Sequence, residues 1–531
     1  MSLLRLIFSL LFSLSIVSNA LALNLPNLHE VKLPIPATLA DKALGTEIAI
    51  SGSTVAITAY AENKNIAGSV YLYAAQENWR LSAEVTSEFT ADGFARHVIL
   101  HDNLLLVSAD TDDSHGTNSG AVYVFERTLV DNPHHWQQTA KLIAPDVQAG
   151  DRFGAGIALV DDVLYIGAPS RGQGKVYIFT RDLQSKHWQV IDSIEPIDPQ
   201  AARFGTAIDQ DGDTLIIGAP YTNADNSEEA EARIRQPRFA ISKGDTFDPG
   251  IESGAIYVYK KHAGLWQFSE RLGSSNRETT DHLGSKIAIE GDIIAASIKH
   301  KDVFDDLRAG AVYIYKKRDN QWLEDSALVA SNPNVGANFG VSFSLVNRQI
   351  LVGANKIHAD GFNSGQAYLF APGSNNSWEL IHQYANAALK AHDQFGLGVA
   401  LGSDYLLTAS RQGVYVFQDA PIHDYPATYY LDSRTLQLNE VSLVGVGVLS
   451  ATLHLNQVAD TLLLTVMDYH LRTDLESSDI QYSANTRRLT IPKLAVQTKT
   501  GELEFYTVVL QQIDNPDSIQ FRVLSLTPIE S

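Results

Sequence analysis

The sequence predicts an all-β fold built from repeats, and two observations support this. One short pattern, best seen as Ser-Gly-Ala-Val-Tyr at 119–123, recurs seven times, and each of the six tryptophans follows one copy. The tyrosines of the pattern are Tyr71, Tyr123, Tyr177, Tyr257, Tyr313, Tyr368 and Tyr415. All but one of their spacings lie between 47 and 56 residues, and a period near fifty is typical of stacked repeats.

Each repeat contains four apolar runs. An aromatic-Gly or Leu-Gly pair such as Phe153-Gly154 opens the first, and residues 214–219 illustrate the second. The tyrosine pattern forms the third, and a tryptophan such as Trp136 opens the fourth. Short runs rich in Val, Ile and Tyr between Gly, Asp and Asn residues are typical of strands. Seven four-stranded antiparallel sheets that must stack to bury their faces predict a seven-bladed β-propeller.

The N-terminus is predicted to close the ring. The seventh repeat lacks a tryptophan run, whereas Lys32-Leu33-x-x-Pro36 matches Lys141-Leu142-x-x-Pro145, which follows Trp136. We therefore expect residues 28–36 to form the outer strand of the last blade, beside residues 412–417. An open solenoid, the rival architecture, would not require such a displaced strand.

Three segments are predicted. Residues 1–22 resemble a secretory signal peptide, with Arg5 before an apolar stretch and a cleavage site near Ala22, so we expect an exported protein, periplasmic or extracellular. Residues 23–420 form the propeller. Residues 421–531 form a C-terminal β domain of two tandem repeats, because 428–438 align without gaps to 481–491. We expect these repeats to pack as one small sandwich.

Composition excludes several classes of protein. There are 40 basic and 61 acidic residues, and a formal charge of −21 argues against nucleic acid and anionic membranes as partners. Beyond the N-terminal segment no uncharged apolar stretch approaches the ~18 residues of a membrane span. The chain has no cysteine, which excludes disulfides, thiol nucleophiles and cysteine-linked lipids.

The combination of Phe-Gly, Gly-Ala-Pro at 167–169 and 218–220, and the tyrosine pattern resembles the FG-GAP repeat of integrin α-subunit propellers, in the short-turn form of secreted bacterial proteins. The resemblance covers roughly residues 28–418. It implies a calcium loop between first and second strands. Only Asp209, Asp211 and Asp213 approach that loop, so calcium is the one cofactor considered. The alternative there is an Asp-Gly hairpin turn without metal.

Aspartates recur just before the Phe-Gly step. They are Asp41, Asp92, Asp151, Asp281 and Asp393. They form either an acidic ring for a cation or basic partner, or turns in which the carboxylate accepts backbone hydrogen bonds. We favour the turns, because the residue belongs to the repeat itself.

Function is predicted from the loops, because no motif of a known catalytic class occurs. We expect a non-enzymatic recognition or adhesion-type protein that binds a protein or glycan through loops on the Phe-Gly side. The alternative is an extracellular hydrolase or lyase acting on polysaccharide at the channel mouth. The longest loop spans residues 221–252. The candidate partner-binding residues are Asp112, Asp113, His115, Arg233, Arg235, His300, Asp302, Asp305, His358 and Asp360.

Overall fold

A computed structural model gives the fold of most of the chain. It describes residues 28–34, 43–60, 67–75, 79–87, 93–127, 135–182, 184–223, 252–278, 280–303, 308–373, 377–385, 389–402, 405–419, 427–430, 435–443, 447–458, 461–472, 480–483, 487–497, 503–513 and 520–528. The signal-peptide segment, residues 224–251 with Arg233 and Arg235, and also Asp41, Asp92 and Asp305, lie outside the described residues, so the predictions for them stay predictions.

Seven four-stranded sheets and one eight-stranded sheet account for all strands of the described residues. Blades 1 to 3 comprise β2 (Ala43–Ser51), β3 (Thr54–Tyr60), β4 (Ser69–Ala74) and β5 (Arg80–Thr86); β6 (Phe94–His101), β7 (Leu104–Ala109), β8 (Ala121–Arg127) and β9 (Trp136–Leu142); and β10 (Gly156–Val160), β11 (Val163–Ala168), β12 (Lys175–Arg181) and β13 (Trp188–Ile194). The described part of the chain contains no helix that would cross a membrane.

The remaining blades repeat this order. Blades 4 to 6 comprise β14 (Ala207–Asp211), β15 (Thr214–Ala219), β16 (Ala255–His262) and β17 (Leu265–Leu272); β18 (Ile287–Glu290), β19 (Ile293–Ile298), β20 (Ala311–Arg318) and β21 (Gln321–Leu328); and β22 (Phe339–Val346), β23 (Gln349–Ala354), β24 (Gln366–Pro372) and β25 (Trp378–Tyr384). Blade 7 comprises β26 (Val399–Leu401), β27 (Tyr405–Ser410), β28 (Gly413–Asp419) and the N-terminal β1 (Leu28–Lys32).

The blades form a closed ring. The first strand of each blade contacts the first strand of the next, from β2 through to β26, and β26 contacts β2 again. The first strands therefore surround the central axis. The predicted closure is confirmed, because β1 lies beside β28 and the Leu33 amide donates to the carbonyl of Val414 over 2.9 Å. Leu33 is buried in the core between blades 7 and 1.

The hydrophobic core of the propeller lies between neighbouring blades. In one such cluster Leu106 and Val124 of blade 2 pack with Phe153 and Tyr177 of blade 3, all of them buried. The rings of Phe153 and Tyr177 meet edge to face at 5.6 Å between centroids. The aromatic of the Phe-Gly pair and the tyrosine pattern thus fill the space between sheets, which stabilises the ring mainly through apolar burial.

The C-terminal unit is one sheet shared by two copies. Its strands are β29 (Ala427–Tyr430), β30 (Thr435–Leu443), β31 (Gly447–Val458), β32 (Thr461–Arg472), β33 (Gln481–Ser483), β34 (Arg488–Gln497), β35 (Leu503–Ile513) and β36 (Gln520–Pro528). The sheet order is β29-β30-β31-β32-β36-β35-β34-β33. Parallel pairs β29–β34 and β30–β33 join its two ends, so the sheet closes on itself around an apolar interior.

The two halves of this unit, predicted to be tandem repeats, carry matching irregularities. The ladder of β30 shifts between Leu438 and Val441, and that of β34 shifts between Ile491 and Leu494, which are the equivalent positions. Core residues match in the same way, since Leu453 and Leu510 are both buried at equivalent positions of β31 and β35. Bulges are specific features of a strand, so their repetition indicates two copies of one ancestral hairpin pair.

Candidate functional site

The Phe-Gly side of the propeller is held by a repeated backbone contact between blades. The glycine before the third strand pairs with the Phe-Gly aromatic of the next blade, as Gly174 does with Phe204. A Cβ atom on Gly174 would lie 2.1 Å from the carbonyl oxygen of Phe204, and its φ is +112°. Only glycine allows this approach. The contact places each second-to-third-strand loop beside the entry loop of the following blade, and together these loops form one face.

The aspartates before the Phe-Gly step form turns, as predicted. The carboxylates of Asp151, Asp281 and Asp393 each accept a hydrogen bond from the backbone N–H three residues earlier, over 2.7 to 2.8 Å. All three are at most 5 % exposed. They brace the entry loops from within and offer no acidic surface to a ligand.

The residue directly before the Phe-Gly or Leu-Gly pair, which follows the aspartate in three blades, adopts a left-handed backbone in five successive blades. These residues are Arg152 (φ 57°), Arg203 (φ 63°), His282 (φ 58°), Asn338 (φ 56°) and Gln394 (φ 56°). Such a conformation costs roughly 1–3 kcal/mol for a residue other than glycine. Side chains of this set contact residues that follow the second strands, as Arg152 does with Asp110 and Asn338 does with Asn355. Sequence reasoning missed this set, although its fixed place before the aromatic was a usable signal.

The predicted cluster at 112–115 separates into one buried and two exposed residues. Asp112 was expected to be exposed, which is wrong, since it is only 2 % exposed. Its carboxylate accepts hydrogen bonds from Tyr123 at 2.9 Å and Lys141 at 2.8 Å, so it holds strand ends together. These bonds lower its pKa although burial raises it. Asp113 and His115 remain on the loop surface.

Asp302 lies on the Phe-Gly face of blade 5. It accepts the backbone N–H of Arg308 over 2.8 Å, which shapes the loop after β19. Two more predicted residues, the exposed His358 and Asp360, lie on the corresponding loop of blade 6. The structure thus places these three residues on neighbouring loops of one face.

Two clusters of aromatic rings, which sequence reasoning missed in part, occupy the same face. The Tyr221 ring, 43 % exposed, stacks on His282 at 4.6 Å between centroids, and His282 meets the predicted His300 at 5.7 Å. The Phe362 ring, 58 % exposed, contacts His358 at 4.6 Å and His392 at 5.3 Å. The exposed Phe362 ring thus contacts two histidines, whereas the exposed Tyr221 ring contacts His282 alone, which in turn contacts His300.

An ion pair crosses the axis below this face. Lys286 Nζ of blade 5 lies 3.0 Å from Glu47 Oε1 of blade 1, and His97 Nδ1 of blade 2 lies 3.7 Å from the same oxygen. These residues occupy the third position after Leu44, Leu283 and Phe94, which open the first runs of their repeats. The other four blades carry small residues there, namely Gly156, Ala207, Ser342 and Gly398. Burial alone raises the pKa of Glu47, but the Lys286 and His97 contacts lower it to about 2.

The predicted calcium loop forms a tight hairpin in blade 4. The carboxylate of Asp209 accepts the N–H of Ile289 at 2.8 Å, and that of Asp211 accepts the N–H of Gly291 at 2.5 Å, both from blade 5. Asp213 lies in the turn between β14 and β15. Burial raises the pKa of Asp209 to about 7. Within the described residues no three His, Asp or Glu side chains converge as a metal site would require. Calcium binding stays a prediction.

Comparison with known proteins identifies the repeat. The FG-GAP repeat family profile matches residues 86–125, 136–179 and 322–370. These matches run from the last strand of one blade into the next, so the sequence repeat and the structural blade are offset by one strand. A solved protein from Lactobacillus plantarum is 11 % identical, with a TM-score of 0.41, over 64 % of this chain and 84 % of that one. No curated protein matches.

Proposed function

Because this chain carries a β-propeller of FG-GAP repeats, we propose that it is a recognition protein that binds a protein or glycan through its Phe-Gly face. The observation that carries the proposal is the pair of exposed rings, Tyr221 and Phe362, fixed by histidines on that face. Exposed aromatic side chains on a rigid scaffold are typical of binding surfaces, since they supply contact area at little entropic cost. The backbone contacts between blades supply the rigid scaffold.

A face-specific comparison of variants tests this proposal. We expect His358→Ala combined with Asp360→Ala to weaken binding about tenfold, as losing a modest interface contact does. Binding is measured on glycan arrays and by cross-linking to proteins of the surrounding envelope or medium. The matched control is Asp192→Ala, an exposed aspartate on the outer strand β13.

Two outcomes would contradict the proposal. One is equal loss of binding in the face variant and in the Asp192 control, which would indicate adhesion without a defined face. The other is turnover of a polysaccharide by the purified protein, which would assign the chain to the hydrolase or lyase alternative.

A further inference from the structure

Three basic residues lie at the Phe-Gly ends of strands in a strongly acidic protein. Lys299 directly follows β19 of blade 5, Lys356 follows β23 of blade 6, and Arg96 lies near the start of β6 in blade 2. All three lie at the Phe-Gly ends of their strands. Burial lowers the pKa of Lys299, and the charges of Arg96 and Lys356 lower it further. Basic side chains of blades 2, 5 and 6 thus share one face, although the chain as a whole carries −21.

In the part of the chain that the structure describes, which omits Asp41, Asp92 and Asp305, Lys299 and Lys356 have no ion-pair partner. The acidic side chains nearby contact other groups: Glu252 lies 3.6 Å from His282, and Asp302 accepts the N–H of Arg308. Converging like charges are costly unless a ligand of opposite charge shares the site. The repeat itself does not require a lysine here, because Pro169 and Pro220 stand at the position of Lys299.

The two aromatic clusters flank these cations. Tyr221 and His282 come from blades 4 and 5, whereas Phe362 and His392 come from blades 6 and 7. Lys299 and Lys356, of blades 5 and 6, come between them around the ring. A sugar ring presents an apolar face of C–H groups that stacks on an aromatic ring, and an acidic sugar adds a negative group at its edge. Rings on blades 4 and 6 and cations on blades 5 and 6 offer both features on one face.

We propose that this face binds an anionic polysaccharide, with Lys299, Lys356 and Arg96 contacting its carboxylate or sulfate groups and Tyr221 and Phe362 stacking on its sugars. The inference rests on the proposed function and names its ligand class. An acidic peptide would use the same cations but has no need of the two exposed rings, so we favour the polysaccharide.

Titration calorimetry with defined polymers tests this inference on the full exported chain. The probes are polygalacturonate for carboxylate, dextran sulfate for sulfate, neutral dextran, and poly-glutamate for an acidic peptide. We expect binding of a charged polysaccharide, none of dextran, and about tenfold weaker binding in Lys299→Gln combined with Lys356→Gln. Phe362→Ala should weaken polysaccharide binding without affecting any binding of poly-glutamate.

Lys186→Gln is the matched control. This lysine lies on the loop between the third and fourth strands of blade 3, on the face opposite to the Phe-Gly face. Thermal unfolding of each variant verifies the fold. Absence of binding to both charged polysaccharides, or unchanged binding by the double lysine variant, would overturn the inference. Tighter binding of poly-glutamate, insensitive to Phe362→Ala, would replace it with an acidic peptide site. A further outcome is that the chain binds none of these polymers while the His358→Ala and Asp360→Ala variant still loses binding to another partner. That result would overturn the polysaccharide inference and leave the proposed recognition function in place.

Discussion

The propeller and the C-terminal unit combine their duplicated copies in different ways. In the propeller each blade completes its own four-stranded sheet, and blades meet through side-chain packing and backbone contacts at the seam. Blade 7, completed by β1, is the exception. In the C-terminal unit the copies share one sheet, and β29 and β33 each pair with the second strand of the other copy. Seven copies bury their faces by stacking around a ring, whereas two copies must exchange strands to leave no open edge.

The backbone contact between neighbouring blades, such as that of Gly174 with Phe204, is where a substitution should destabilise the propeller most. Gly174→Ala places a methyl group against the Phe204 carbonyl, so we expect a loss of more than about 3 kcal/mol or failure to fold. Gly172→Ala is the control, because nothing lies within 4 Å of its Cβ and its φ is +58°. It should cost only about 1 kcal/mol. Urea unfolding followed by tryptophan fluorescence reports the propeller alone, since all six tryptophans precede residue 400. Equal effects of both changes would contradict the role of the seam.

In the C-terminal unit, substitutions at equivalent core positions of the two copies should destabilise the fold to a similar extent. Leu453→Ala and Leu510→Ala remove matching buried side chains, and each should destabilise the unit by about 2–5 kcal/mol. Because the copies share a sheet, hydrogen exchange should rise in both copies after either change. The control is Thr490→Ala, an exposed position of β34. Faster exchange confined to the mutated copy would show that the copies unfold separately, as repeats of an array do.

The ion pair between Glu47 and Lys286 differs from the other contacts between blades, since it joins blades 1 and 5, which are not neighbours. Glu47→Gln should cost about 1–3 kcal/mol, because Lys286 loses its partner in a half-buried setting. The folded-state pKa of Glu47 is lowered to about 2, so its contribution is present above pH 4.5 and is lost as pH falls toward 2. Wild type should therefore lose more stability than Glu47→Gln across that interval, as measured by urea unfolding.

Glu195→Gln is the control for this experiment, because its ion pair with Lys175 is 69 % exposed on the glutamate side and should contribute almost nothing. Parallel pH profiles of wild type and Glu47→Gln would show that the axial pair does not stabilise the fold.

Much of the fold was predictable because the same strand and turn residues recur in the same order in each repeat. The Phe-Gly and Tyr positions recur at fixed places, and a missing tryptophan run was enough to assign the N-terminus to blade 7. The site was less predictable. Asp112 lies in a polar segment typical of a surface loop. Its carboxylate is nevertheless buried, because it accepts hydrogen bonds from Tyr123 and Lys141. Tyr221 and Phe362 are isolated aromatics in the sequence, and His282 and His392, which contact them, come from the entry loops of the following blades.

By itself, the sequence determined the strands, their number in each repeat and the closure of the ring, because hydrophobic periodicity, glycine and turn residues act over a few positions. It also marked the duplication of the C-terminal unit. Only the tertiary structure decided that the two copies close a single sheet and that Glu47 meets Lys286 across the axis. Those contacts join residues up to 239 positions apart, and their geometry depends on how whole blades are arranged around the axis.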